Sequence, residues 1–409
     1  MMTSPPSLES NEVAAHIIKR CADFATAIEM HREELIDILL EYESLETAED
    51  ELWRSVDALR HVSNETQWLA KGKVELLCTF FPVNLPLYSL VIFAIIPSFM
   101  AQSTIIRPPV LARDVVKLIW EILQLANSLP NIKFVDLERS LFNEAFVSIA
   151  DVVLFTGRYQ NAIKVREISP NSLFIYNGAG VNPAVVTDTA NVTLAAHKVA
   201  EARLFNSGQD CAGSDFIFIH ASIADAFISN LLRILKEVTV GDYSDRSTRV
   251  GRIIKPDQLP SVKKFFDEQS RSILFGGKID FEKNIVYPTI VRREITDMPS
   301  FTLAEFFSPV FNIVVYRTDE QLMRYFTDKN YSDFAMYVSI FSTNHSYYIP
   351  NSVILDNKIV NDVERAYVAY GGYGPKANFV AYGEKMFVRP LLISREISSF
   401  LQDRHSESK

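Results

Sequence analysis

The stretch FNSGQDCAGSDFIFIH, residues 205–220, sets Cys211 directly after Gly-Gln-Asp and ahead of an apolar run. Two readings fit a thiol so placed. As a thiolate it attacks carbonyl carbon and carries a covalent acyl group; as a small buried side chain it only packs. LFTGR, residues 154–158, reads as a strand ending in Gly157 at a turn into a helix-compatible segment, beside Arg158. Backbone N–H groups at such a turn can face a phosphate. YNGAGVNP, residues 176–183, closes another apolar strand, where Gly178 permits close backbone approach and the Asn177 amide can donate and accept hydrogen bonds. A plain turn explains either stretch taken alone, and the Gly-x-Gly-x-x-Gly fingerprint is absent from the sequence.

The elements that must hold these groups follow from hydrophobic periodicity. Residues 11–70 are charged, with apolar positions every three or four residues, as in IEMHREELIDILLEY, which predicts amphipathic helices. From about residue 73 short apolar strands alternate with helices: VELLCTFF, STIIRPP, VVKLIWEILQLANSL, IKFVDL, DVVLFTG and SLFIYNGAG. That alternation indicates a parallel α/β sheet. After Cys211 a second series follows, with SDFIFIH, the helix ADAFISNLLRILKEV, then IVYPTIV, SPVFNIVVY, FAMYVSIF and NSVILD. A second α/β unit is expected, and the polar tail RHSESK is expected to be disordered.

With 409 residues the chain exceeds one ordinary core, so two or more units are expected, enough to shape a deep site. A net charge of −9 argues against general nucleic-acid binding. Three cysteines, Cys21, Cys78 and Cys211, make no disulfide framework and no zinc-ligand spacing; the expectation is a reducing, cytoplasmic setting and no metal. The N-terminus lacks a secretory pattern, and LYSLVIFAIIPSFM (87–100) is too short for a membrane span and contains Pro97, so it reads as core.

Taken in order, the motifs resemble those of the aldehyde dehydrogenase superfamily from about residue 73 to 397. FPVNLPLY at 81 resembles the Pro-x-Asn-Phe-Pro segment, TIIRPP at 104 the strand ending in Lys-Pro, LFTGR the Phe-Thr-Gly-Ser turn, and YNGAGVNP the segment Glu-Leu-Gly-Gly-Lys-Asn-Pro. FNSGQDC resembles Asn-x-Gly-Gln-x-Cys, GDYSDRSTRVGRII the Gly-Asp-Pro segment, and YPTIV the Pro-Thr strand. EFFSPV at 305 resembles Glu-x-Phe-Gly-Pro-Val, and YGGYGPKANFVAYGE the segment Pro-Phe-Gly-Gly-x-x-x-Ser.

The resemblance implies a Rossmann-like cofactor domain, an α/β catalytic domain and a small oligomerisation element. The expected boundaries are 1–178, 179–386 and 387–409, with RPLLISREI at 389 as the oligomerisation strand of a homodimer or homotetramer. It implies Cys211 as nucleophile, and Asn84 with the Cys211 backbone N–H as oxyanion hole. NAD or NADP would lie over Gly157, Arg158 and Gly178, with Glu305 and Phe307 at the nicotinamide ribose and ring. Arg107 stands where the family has a lysine touching the adenosine ribose, and Val110 where NAD-preferring members often carry glutamate, which leaves both cofactors open.

Asn177 occupies the position of the glutamate that activates water in hydrolytic members, and an amide is no general base near neutral pH. The implied reaction is therefore exchange of the Cys211 acyl group with a thiol, from coenzyme A or a carrier, or reduction of an acyl thioester to aldehyde. The alternatives are hydrolytic oxidation of an aldehyde to an acid, with another group replacing the glutamate, and a non-catalytic structural or regulatory member.

Overall fold

The computed structural model of the protein describes residues 8–297 and 306–407. Three helices open the chain: α1 (Leu8–Met30), α2 (Arg32–Leu39) and α3 (Leu45–Arg60). Ser44 starts α3 by accepting the Thr47 N–H, leaving the chain free to turn between α2 and α3. Their apolar stripes, including Phe24, Ile28, Leu35, Leu39 and Leu52, share one core with the first sheet.

That sheet contains β1 (Val74–Phe80), β2 (Ala101–Arg107), β3 (Ile132–Phe134), β4 (Val152–Gly157) and β5 (Leu173–Gly178), all parallel. These strands are apolar on both faces because both are covered: Leu77, Leu154 and Ile175 face the helical core, while Cys78, Val153 and Phe174 face a second cluster. The strands run in the order β5-β4-β1-β2-β3, so the chain reverses direction across the sheet between β1 and β4. A crevice opens outside the carboxyl ends at such a switch point, and the segments carrying Asn84 and Gly157 both leave the sheet there.

The second sheet holds β6 (Ala184–Val186), β7 (Ile217–His220), β8 (Ile273–Phe275), β11 (Thr289–Glu294), β12 (Val310–Tyr316), β13 (Tyr337–Phe341) and β14 (Val353–Asp356). The short ribbon of β9 (Ile279–Asp280) and β10 (Ile285–Val286) stands apart from it. Among the described residues only β8 runs antiparallel in the second sheet. The expected boundary at 178 falls where the chain passes from β5 to β6. β15 (Asn378–Tyr382) and β16 (Lys385–Phe387), expected within the catalytic domain, instead return to the first sheet and pair antiparallel beyond β5.

The apolar run 87–100 is a buried helix, Pro86–Ser98, that widens to π-helical turns over Val91–Ile95. Pro97 has no N–H to close an ordinary turn, and Ile96 N–H reaches back five residues to Val91 O. Beneath this helix Glu51 accepts the Tyr88 N–H at 2.8 Å and satisfies one of the open donors of its first turn.

At the C-terminus the expected oligomerisation strand at 389 is corrected: Ile393–Glu407 is a helix packed on residues 66–69 and on β5. Ile397 and Phe400 supply its buried face. Residues 404–407 of the tail expected to be disordered belong to this helix, and 408–409 lie outside the described residues. No helix among the described residues is long and apolar enough to cross a membrane.

The same packing buries Glu65, which accepts a hydrogen bond from Ser394 Oγ at 2.5 Å, and burial pushes its carboxyl up to about 7. A carboxyl raised on folding binds its proton more tightly in the native state, so the stability it lends is full below about pH 4 and is lost as pH climbs to about 7 and beyond. Glu65→Gln is expected to flatten the fall in melting temperature between about pH 5 and 8. Identical slopes in the two proteins would show Glu65 to be ionised throughout.

Candidate active site

Cys211 stands between a 3₁₀ turn, Phe205–Gly208, and β7. Asn206 and Ser207 take left-handed backbone angles, at φ 46° and 55°, and Gly208 follows at 75°. Consecutive left-handed residues are costly for side-chain-bearing positions, and here the surroundings enforce them. Ser207 Oγ pairs with Tyr243 Oη at 2.6 Å and accepts the Gly251 N–H; the Asn206 N–H donates to Thr47 Oγ1 of α3. A Cβ on Gly208 would lie 2.4 Å from the Ser308 carbonyl carbon, so glycine is required twice over. Gln209 Oε1 accepts the Ile254 N–H at 2.6 Å, tying the turn to the GRII segment.

Beyond the cysteine, Asn182 holds the loop from below. Its Nδ2 donates to Cys211 O at 2.7 Å, its Oδ1 accepts the Tyr337 N–H, and its own N–H donates to Asp215. Sequence reading missed Asn182, although it lies within the quoted stretch YNGAGVNP, because only Asn177 and Gly178 there drew a role. Asn182→Ala leaves two buried backbone groups unpaired and is expected to lower unfolding free energy by about 2–4 kcal/mol, read from urea melts. An unchanged urea midpoint would remove Asn182 from this role.

Asn84 follows β1 and is buried; one hydrogen of its amide reaches Gln209 O at 3.1 Å, two residues before the cysteine. An amide nitrogen carries two hydrogens, so one remains to be offered to an oxyanion. Asn84, Asn177, Gly157, Arg158, Gly178, Cys211 and Phe307 all line one cavity of ≈ 440 Å³. Arg107 is not on its wall; it ends β2, two strands from β4, and donates to Leu137 O at 2.9 Å. Burial and the neighbouring Arg139 lower its pKa. Glu305 lies outside the described residues. Gly178 has a packing reason of its own, because a Cβ there would meet the Tyr176 ring at 2.1 Å.

The aldehyde dehydrogenase family model matches residues 13–375. The chain belongs to the aldehyde dehydrogenase family. Members are NAD(P)-dependent oxidoreductases acting on aldehydes. The chain is 23% identical over 344 residues to the 4,4'-diaponeurosporen-aldehyde dehydrogenase of Staphylococcus aureus, covering 82% of this chain and 73% of that one. It is 30% identical over 178 residues to the beta-apo-4'-carotenal oxygenase of Neurospora crassa, 42% of this chain and 32% of the relative. Among solved structures, glyceraldehyde-3-phosphate dehydrogenase from Methanocaldococcus jannaschii, complexed with NADP, superposes with a TM-score of 0.73 at 18% identity, over 96% of this chain and 97% of that one. An oxidoreductase from Marinobacter aquaeolei does so at 0.79 and 16%, over 97% and 85%.

In this aldehyde dehydrogenase family member one wall of the cavity is ionic. Arg54 of α3, 6% exposed, bonds Asp50 at 2.5 Å and Glu364 at 2.7 Å and stacks over the Phe205 ring. Those acids raise the Arg54 pKa against its burial. Burial pushes both Glu364 and Asp210 above the usual carboxylate range, with Arg54 and the Ala212 N–H pulling the other way. Another stretch of the wall is apolar, with Leu85, Ile92, Phe93, Ile96 and Leu392. Neither Arg54 nor Glu364 was singled out in the sequence, where each reads as an ordinary charged position.

Proposed function

We propose that this chain is an NAD(P)-dependent oxidoreductase that builds a thiohemiacetal and then a thioester on Cys211 and exchanges the acyl group with a thiol. It would run as CoA-acylating oxidation or as reduction of an acyl thioester to aldehyde. One observation carries the reading: Asn177 Oδ1 sits buried at the cavity wall with no hydrogen-bond partner among the described residues. An amide oxygen cannot take a proton from water near neutral pH, so this position gives water no advantage over a better nucleophile such as a thiolate.

The residues fit a nicotinamide dinucleotide. Gly157, at φ 134°, leaves an open turn at the carboxyl end of β4, where a Cβ would meet nothing closer than the Phe155 ring at 3.4 Å. Gly157, Arg158 and Gly178 would hold the cofactor near the cysteine, with Phe307, and with Glu305 by resemblance; Arg107 would meet the adenosine end. Bound NAD(P) supplies the hydride acceptor or donor. Cys211 as thiolate attacks the carbonyl carbon, and the Asn84 amide with the Cys211 N–H stabilises the oxygen that gains the electron pair. An incoming thiolate then attacks the thioester carbon, the C–S bond breaks, and the pair returns to Cys211.

The apolar wall and the two relatives named for 4,4'-diaponeurosporen-aldehyde and beta-apo-4'-carotenal support an apolar aldehyde or acyl group. A homodimer or homotetramer is supported by the edge strand β16, where Met386 and Phe387 are about half exposed. Cys21, Cys78 and Cys211, none of them in a disulfide, support a cytoplasmic setting.

The test is product analysis. With aldehyde, NAD(P)+ and coenzyme A, acyl-CoA is the expected product; acid formed equally fast without any thiol would overturn thiol exchange. Glu364 favours the second reading, hydrolysis, since a carboxylate raised by burial on the same cavity wall can serve as a base. Loss of thiol-independent acid formation in Glu364→Gln would establish it.

A further inference from the structure

The segment YGGYGPKANFVAYGE places Tyr370 where the segment it resembles has phenylalanine. That hydroxyl reaches the nucleophile: Cys211 Sγ and Tyr370 Oη are 3.3 Å apart. We propose that the Tyr370 hydroxyl is a catalytic hydrogen-bond donor to the Cys211 sulfur, holding the resting thiolate and receiving it again as the leaving group when the thioester is cleaved. The proposal rests on Cys211 being the nucleophile.

The ring is fixed for this task. Tyr370 exchanges both backbone hydrogen bonds with Leu391, at 2.8 and 2.7 Å. Its ring packs against Tyr337 at 5.6 Å, and Tyr337 Oη in turn accepts the Gly371 N–H at 2.8 Å. A thiolate has no hydrogen to give, so in the ionised pair the phenol must donate. Burial, with the charges of Cys211 and Glu364, holds the Tyr370 hydroxyl well above the usual tyrosine range, which keeps the proton on oxygen.

The surroundings give such a donor work to do. Cys211 lies in a turn, not within a helix. Asp210 precedes it, Glu364 lines the same cavity, and Arg54 from α3 is engaged by Asp50 and Glu364; Arg158, Lys255 and Arg365 are the other cations on the wall. Carboxylates beside a thiol disfavour its ionisation, and a buried hydroxyl donor offsets that. In the reaction, the sulfur pair forms the C–S bond and the carbonyl pair moves to oxygen, so the sulfur loses its charge and the hydrogen bond weakens. When an acceptor attacks the thioester, the C–S pair returns to sulfur and the hydrogen bond strengthens again. The proton stays on the tyrosine throughout, so no net transfer is needed.

The experiment uses the full chain without substrate or cofactor: iodoacetamide alkylation of Cys211, followed by peptide mass spectrometry from about pH 5 to 9, in wild type and Tyr370→Phe. Tyr370→Phe is expected to raise the apparent thiol pKa by about one unit and to slow alkylation near pH 7 about tenfold. Superimposable profiles would overturn the proposal. Tyr337→Phe disturbs the same wall while keeping the Tyr370 hydroxyl, and its profile should match wild type; a shift equal to that of Tyr370→Phe would assign the effect to packing and overturn it too. Failure of wild-type Cys211 to take up an acyl group from any thioester would sink the proposed function instead, and the alkylation profiles would still read Tyr370.

Discussion

Replacing Cys211 by alanine is expected to lower aldehyde-dependent NAD(P)H formation by about 10⁴-fold or more, to the background of the assay. The magnitude follows from the covalent route: without sulfur there is no thiohemiacetal to give up hydride and no thioester to receive it. The loop should survive the change, since the bonds made by Asn182, Gln209 and Ser207 do not involve the thiol. Intact-protein mass spectrometry after incubation with a panel of acyl thioesters gives the companion result, one acyl mass on wild type and none on the variant. Turnover retained in Cys211→Ala would move the chemistry elsewhere, and with Cys21 and Cys78 both buried no other cysteine is placed to take it over.

Asn177→Glu should change the product and not merely the rate. The wild-type side chain lines the cavity with a buried oxygen that has no partner among the described residues, and glutamate would place a proton acceptor at that wall. A positioned general base contributes about 10²–10⁴-fold, so acid formation in the absence of thiol is expected to rise by about 10². Burial would hold the new carboxyl above the usual glutamate range, so the gain should grow as pH rises through the neutral region and the base ionises. Acid measured by chromatography alongside NAD(P)H gives the partition directly. Should wild type already hydrolyse as fast as Asn177→Glu, the Asn177 argument falls and Glu364 becomes the residue to pursue.

Most of the architecture could be read from residue types in order. Parallel strands covered on both faces must be apolar along their length, and VELLCTFF, DVVLFTG and SLFIYNGAG say so without ambiguity. RPLLISREI, a strand by resemblance alone, is helix from Ile393, where contact with β5 and residues 66–69 decides. Arg54 on an amphipathic helix has the signature of a solvated charge, yet it is buried in an ion-pair network on the cavity wall.

The sequence by itself determined the family and singled out the Cys211 loop and the Asn177 amide, because these lie in short contiguous motifs whose backbone demands select their residues. Only the tertiary structure decided which polar groups share the cavity with Cys211. Arg54 meets Glu364 across 310 positions, Asn84 meets Gln209 across 125, and Tyr370 meets Cys211 across 159. Contacts between residues so far apart leave no local pattern, since each partner obeys the rules of its own helix or loop until folding brings the two together.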